Sequence, residues 1–279
     1  MKGKMKQIIK HLSQLFVLLV FIFSFSWMIF SLFRITRSLA PDFSVFWQST
    51  RDLFENKNPY LNKEIFTLFA YPPNTLIFFL PFAILPYKLA QSLFVLLSFV
   101  AAIASYLLSL KMVIGKISWK VALGGLALIF LAFPIKFNLG MGQINTVSFF
   151  LLISSYYFYK RQQNSLAGIF LGLSLILKPV LGFFIFFYIL KKKWSLVIKA
   201  IFTLALSIIF VGLISDFNLY GYYMARVVPS LLNFEGREIY YNQGIAGFVS
   251  RLIGNITLMR NLTILLSIPI VGISLFYAA

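Results

Sequence analysis

Cysteine is absent from this chain of 279 residues, and histidine occurs once, at position 11. Without cysteine there is no disulfide, no thiolate nucleophile and no Cys-based metal site. A lone His11 in a basic tail leaves a His-ligated metal site without its ligands. Carboxylates are scarce too: seven Asp and Glu stand against 25 Lys and Arg, for a net charge of +18. Charged residues make up 11% of the chain, against about 25% in soluble domains, so most of it does not sit in water. Glycine forms neither a Walker loop nor a dinucleotide fingerprint.

What is there is apolar. Hydrophobic residues reach 60% and the mean hydropathy is +0.89. Runs approaching or exceeding the roughly 20 residues of a transmembrane helix recur along the chain. The fold class is therefore all-α, a polytopic transmembrane helical bundle; a barrel would need short alternating strands. In a soluble protein the basic excess would point to nucleic acid. Here Lys and Arg gather in short clusters beside apolar runs, the pattern that orients helices, so membrane lipids are the partner and nucleic acid is not.

The first run, residues 15–33, follows Lys2, Lys4, Lys6 and Lys10. It exceeds a signal-peptide h-region of about 7–15 residues and reads as an uncleaved helix with a cytoplasmic N-terminus. Further runs lie at 89–110, 121–133, 147–159, 166–177, 180–190, 198–214 and 264–276. Placing Lys111–Lys120, Lys160-Arg161 and Lys191-Lys192-Lys193 on the inner side sends all the polar motifs to the outer side. These are a first outer loop at 34–74, the Gly142-Gln143-Ile144-Asn145 turn, Lys178, and a second outer loop at 216–260. The whole chain, 1–279, reads as one multi-spanning domain. The apolar piece 75–85, about 11 residues broken by Pro81, is too short to span and is expected to be re-entrant or half-buried.

The first loop holds four of the seven acidic residues, Asp42, Asp52, Glu55 and Glu64. Phe43, Phe46, Trp47, Leu53 and Phe54 recur at helical spacing, which predicts an amphipathic helix lying flat with its apolar side on lipid. Asp52 and Glu55 then fall on its solvated side. Asp42, just beyond the first helix, is either a general base with a pKa raised by burial or the N-cap of the flat helix. Lys178, before Pro179 at the end of an apolar run, is either functional or snorkelling. Gln143 and Asn145 suit sugar hydroxyls or the backbone of a helix break. Arg226, Arg237 and Arg251 offer bidentate contacts to a phosphate or to lipid head groups. Gly168 and Gly172 form a small-xxx-small pair for close helix packing.

Several of these motifs occur together in a known order. Asp42 after a first helix, Asn58-Pro59-Tyr60, Tyr71-Pro72-Pro73, Leu80-Pro81 and Leu85-Pro86 resemble glycosyltransferase family 87. The likeness continues through Gly142-Gln143-Ile144-Asn145, Gly168 with Gly172, Leu177-Lys178-Pro179, and Asn242-Gln243-Gly244 leading to Arg251. The resemblance implies a GT-C fold in the plasma membrane and inverting transfer of a hexose, typically mannose, from a polyprenyl-phosphate donor to a hydroxyl of a lipid or glycan acceptor. It implies no nucleotide, metal or other cofactor. Asp42 takes the place of the catalytic base. Lys178, Arg251 and Arg237 are expected on the donor phosphate, and Gln143, Asn145 and Asn242 on the sugar. Members of the family carry more helices after the second outer loop, so a C-terminally shortened member is expected. Two rivals without covalent chemistry remain, a lipid flippase or transporter and an inactive assembly subunit.

Overall fold

Among the described residues, four helices are long and apolar enough to cross a membrane: Lys4–Arg37, Tyr87–Ile114, Trp194–Ile214 and Ile256–Ser274. The computed structural model describes residues 2–62, 67–231, 242 and 244–278, and no strand occurs among them. Glu64, Glu235, Arg237, Glu238 and Gln243 lie outside the described residues.

Helix α1 (Lys2–Arg37) has 36 residues and so a length of about 54 Å, more than the roughly 30 Å of a hydrocarbon core. Helix α2 (Pro41–Phe54) starts with proline at N1, where its fixed φ and missing N–H cost nothing. Asn56, with φ 54°, ends it in the left-handed region, where Asn is better tolerated than most residues. The apolar segment that follows is a 3₁₀ turn, Pro73–Phe79, running into α3 (Leu80–Ala83). It is short and largely buried. Asn74 donates to Ser207 Oγ at 3.2 Å and Thr75 to the Ile176 carbonyl at 2.7 Å. At 11 residues the segment is shorter than the helices long enough to span, and it packs into the bundle.

Helix α4 (Tyr87–Ile114) is long and apolar enough to cross in full. Helices α5 (Trp119–Leu131) and α6 (Phe133–Met141) form one path bent by 57°. Pro134 accounts for the break at Ala132, because it lacks an N–H and would collide with the preceding turn. Next come α7 (Asn145–Lys160) and α8 (Asn164–Leu177). A 3₁₀ turn, Pro179–Gly182, then leads into α9 (Phe183–Leu190), followed by α10 (Trp194–Ile214). A Cβ at Gly168 would lie 2.4 Å from the Leu196 carbonyl, and one at Gly172 2.6 Å from Thr203 Cβ. The small pair thus brings α8 against α10, as its spacing predicts. Helix α11 (Asn218–Tyr222), a π turn (Tyr223–Val227), α12 (Val228–Leu231), α13 (Ile245–Leu252) and α14 (Ile256–Ala278) complete the chain. Arg260 belongs to α14, not to a loop.

Side chains sort by end of the bundle. At one end Lys120 donates to Ser13 Oγ at 3.0 Å. Lys111 and Arg161 lie over the Tyr157 ring there, and Lys193 over Tyr159. At the other end, across the length of α7, stand Asp42, Gln143, Asn145 and Lys178.

Helix α2 corrects two expectations. Its apolar face points into the protein, not onto lipid. Phe43 stacks on Phe94 at 4.9 Å and Phe46 on Phe79 at 4.4 Å, and both are buried. The 73–83 segment and α4 cover that face, and a sequence pattern does not distinguish such neighbours from lipid. Asp52 is not solvated: it is buried, and its carboxylate accepts from Gln48 Nε2 at 3.2 Å and Asn62 Nδ2 at 2.8 Å. Two amide donors replace the water it lost.

Candidate functional site

The junction between α1 and α2 is held from below by α4. Gln91, fully buried, accepts from the Ala40 N–H at 3.2 Å and donates to the carbonyls of Ile35 and Ser38. Tyr87 donates its hydroxyl to the Ala40 carbonyl at 3.2 Å. Ala40 is therefore the N-cap, Pro41 the first helical residue and Asp42 the second, with no side-chain cap hydrogen bond at this terminus. Asp42 does not cap the helix. It still lies in the first turn, where the helix dipole favours a negative charge.

Opposite Asp42 comes the turn between α6 and α7. Gly142 ends α6 with φ 69°, and a Cβ there would lie 2.5 Å from Phe43 Cβ and 3.0 Å from Ala40 Cβ. Only glycine lets this turn close on the start of α2. Asn138, buried in α6, fastens the turn from behind: its carbonyl accepts from the Gln143 N–H at 2.9 Å, and its Nδ2 donates to the Gln143 carbonyl at 3.3 Å. Gly142→Ala is expected to cost about 1–3 kcal/mol through backbone strain and to lower activity. Gly140→Ala places its Cβ no nearer than 3.9 Å to a side chain and is expected to be near neutral. Thermal unfolding and initial rates of both variants check this.

Lys178 reaches the same place by a different route. Pro179 disfavours helical backbone in the residue before it, and Lys178 adopts φ −140°, ψ 89° as α8 ends. Its ammonium donates to Asn145 Oδ1. Asn145 Nδ2 donates to Gln143 Oε1 at 2.8 Å, and Gln143 stands beside Asp42 in the wall of one cavity. Two hydrogen bonds thus run from a cation through two amides, and the second amide is a neighbour of a carboxylate.

Asp42, Gln143, Asn145 and Lys178 line a polar cavity of about 340 Å³ together with Tyr71. Burial pushes the Asp42 carboxyl above the usual carboxylate range, and the neighbouring Gln143 amide partly opposes that. Burial, and then the charge of Asp42, push the Tyr71 phenol up, so Tyr71 enters the cavity as a neutral donor. Gln143, Asn145 and Lys178 also line a second cavity of about 730 Å³. Its outer walls are the exposed apolar side chains of Phe133, Phe137, Phe149 and Val180. One wall of three polar residues therefore has a polar chamber with a half-buried carboxylate on one side and an apolar groove on the other.

Residues 69–279 match the model of glycosyltransferase family 87. The chain belongs to this family. No curated protein and no solved structure matches it. Gln143, Asn145, Lys178 and Tyr71 fall inside the matched stretch, and Asp42 precedes it. Membership makes the chain a membrane glycosyltransferase, which handles a sugar donor and an acceptor.

Four of the sequence-derived site residues of this family 87 protein come together: Asp42, Gln143, Asn145 and Lys178. Arg251 and Asn242 do not line the cavity with them. Arg251 sits on α13 and donates Nη1 to the Asn242 carbonyl at 3.0 Å, which ties the two expected ligands to each other. Arg237 lies outside the described residues, and Arg226 is exposed in the π turn. Sequence reasoning missed Tyr71 and Asn138 as site residues. Tyr71 was visible as part of the Tyr-Pro-Pro turn. Asn138 had a weaker signal, a polar residue in an apolar helix just ahead of a glycine turn.

Proposed function

We propose that this enzyme transfers a hexose, most typically mannose, from a polyprenyl-phosphate carrier to a hydroxyl of a lipid or glycan acceptor, with inversion. The pair of cavities sharing the Gln143–Asn145–Lys178 wall carries the reading. A polyprenyl chain suits the apolar groove, whose walls are exposed apolar side chains, and Lys178 at its polar end suits the phosphate. The acceptor hydroxyl belongs in the polar chamber beside Asp42. An inverting displacement needs base and leaving group on opposite faces of the anomeric carbon, and two amide side chains hold Asp42 and Lys178 apart.

In the proposed step Asp42 takes the proton of the acceptor hydroxyl, whose oxygen forms the new bond to the anomeric carbon. The bond from that carbon to the phosphate oxygen breaks, and its electron pair leaves on the polyprenyl phosphate. Lys178 stabilises the charge that develops there. Tyr71, neutral, donates a hydrogen bond to the sugar or acceptor. Release of polyprenyl phosphate from a labelled donor by the purified protein, dependent on an added acceptor, is the expected result. A donor that is moved across a bilayer but never cleaved would support the flippase reading and overturn this one.

The polar end is assigned to the outer face of the plasma membrane, on the strength of the basic end formed by Lys111, Arg161 and Lys193. The chain has no cysteine to interfere. In intact cells a membrane-impermeant thiol reagent is expected to label Leu61→Cys, at a position 59% exposed, and to spare Lys116→Cys. The reverse pattern overturns the orientation.

A further inference from the structure

We infer that Lys178 and Asn145 orient Gln143 so that its Nε2 is presented to Asp42 across the chamber they both line, which makes Gln143 the positioning residue of the carboxylate. The inference rests on the proposed function for its meaning and on geometry for its content. Lysine has donors only, so Asn145 must turn Oδ1 toward Lys178. Asn145 then has only Nδ2 left for Gln143, which must answer with Oε1 at 2.8 Å. That leaves Nε2 of Gln143 as the group facing Asp42, an acceptor when ionised. Each amide has a second, flipped orientation of similar shape, and the cation removes the choice at both.

The path also reassigns two residues. Gln143 and Asn145 are expected from the sequence to orient sugar hydroxyls. Their side-chain oxygens are already engaged along the path, so the sugar is left to other groups of the chamber. In this arrangement Gln143 acts on the reaction through Asp42, and Asn145 acts through Gln143. Among the described residues, the other titratable groups lining the chamber are Tyr71, from the loop before Pro72, and Lys178, from the end of α8.

Infrared spectroscopy reads Asp42 directly, without substrate. The chain has only seven Asp and Glu side chains, and the protonated carbonyl band lost in Asp42→Asn identifies Asp42. Gln143→Met, close in volume, is expected to move the titration midpoint of that band to higher pH. Asn145→Leu is expected to move it the same way, and the double variant no further than Gln143→Met alone. Two independent polar neighbours would instead add. Asn145→Ala serves where Asn145→Leu fails to fold. In transfer assays near neutral pH each single variant is expected to lose about tenfold, the worth of one hydrogen bond to a charged group.

An unmoved midpoint in Gln143→Met overturns the inference, and so does one in Asn145→Leu. Additive shifts overturn the ordering of the path. A raised KM with an unmoved midpoint would return both amides to sugar binding. Wild-type protein that does not cleave a polyprenyl-phosphate hexose would remove the proposed function and leave the midpoints, and hence this inference, standing.

Discussion

Asp42→Asn is expected to cut sugar transfer at least about 100-fold, the lower end of acid–base contributions, while membrane insertion and donor binding survive. The amide keeps the shape and the contact with Gln143 in part, and loses only the ability to take a proton. Helix capping offers no competing explanation, because Ala40 holds the N-cap and no side-chain cap bond is made there. The same carboxylate shapes the pH dependence. Burial raises its pKa in the folded protein, so the ionised form is the disfavoured one. Its base form is present only above the raised value, and the acid limb of the rate profile should lie above the usual carboxylate range. Stability runs the other way: the folded protein gains as pH falls through that value, because protonation removes the buried charge. Asp42→Asn should abolish both effects. Transfer at the wild-type rate by purified Asp42→Asn would sink the mechanism.

Lys178→Met is expected to have the second-largest effect, a loss of about 100-fold or more in transfer efficiency, as for removal of one donor that stabilises developing charge. Methionine keeps most of the volume and removes the cation. Donor affinity should fall with the rate, because a phosphate contact acts in ground state and transition state alike. A purely snorkelling lysine would leave both unchanged. Snorkelling also fits the observed geometry poorly, since the ammonium turns to Asn145 at the shared wall of the two cavities. Measuring donor binding and initial rates on the same preparation separates the two roles. Unchanged values in both would leave Lys178 outside the chemistry.

The small-xxx-small pair was legible because it is local: two glycines one turn apart state that something approaches closely, whatever that something is. Lys178 was half legible. Its proline neighbour announces the end of a helix, but the direction of the side chain depends on where α7 begins. Asp52 was misread because burial is not written at its own position. Gln48, one turn earlier on α2, is in reach from the helix alone, but Asn62 becomes a partner only when α2 and the following loop fold back on each other. The lipid-facing expectation for α2 failed for a related reason. An apolar stripe records a need for apolar surroundings, and bilayer and protein core meet that need equally well.

By itself the sequence determined the class of the molecule, since 60% hydrophobic residues in helix-length runs have no other stable home than a bilayer. It also determined which polar motifs share an end of the bundle, because basic clusters and connection lengths are one-dimensional facts. Only the tertiary structure decided what those motifs do to one another. Asp42 and Gln143 stand on elements far apart in the chain, and they meet because Gly142 alone can bring the α6–α7 turn against Phe43 and Ala40. Asn145 meets Lys178 because α7 and α8 run antiparallel from the basic end to the polar end. Hydrogen-bond partnership and desolvation are properties of neighbours in space, and they set Asp42, a half-buried carboxylate facing a cavity, apart from Asp52, a buried fastening.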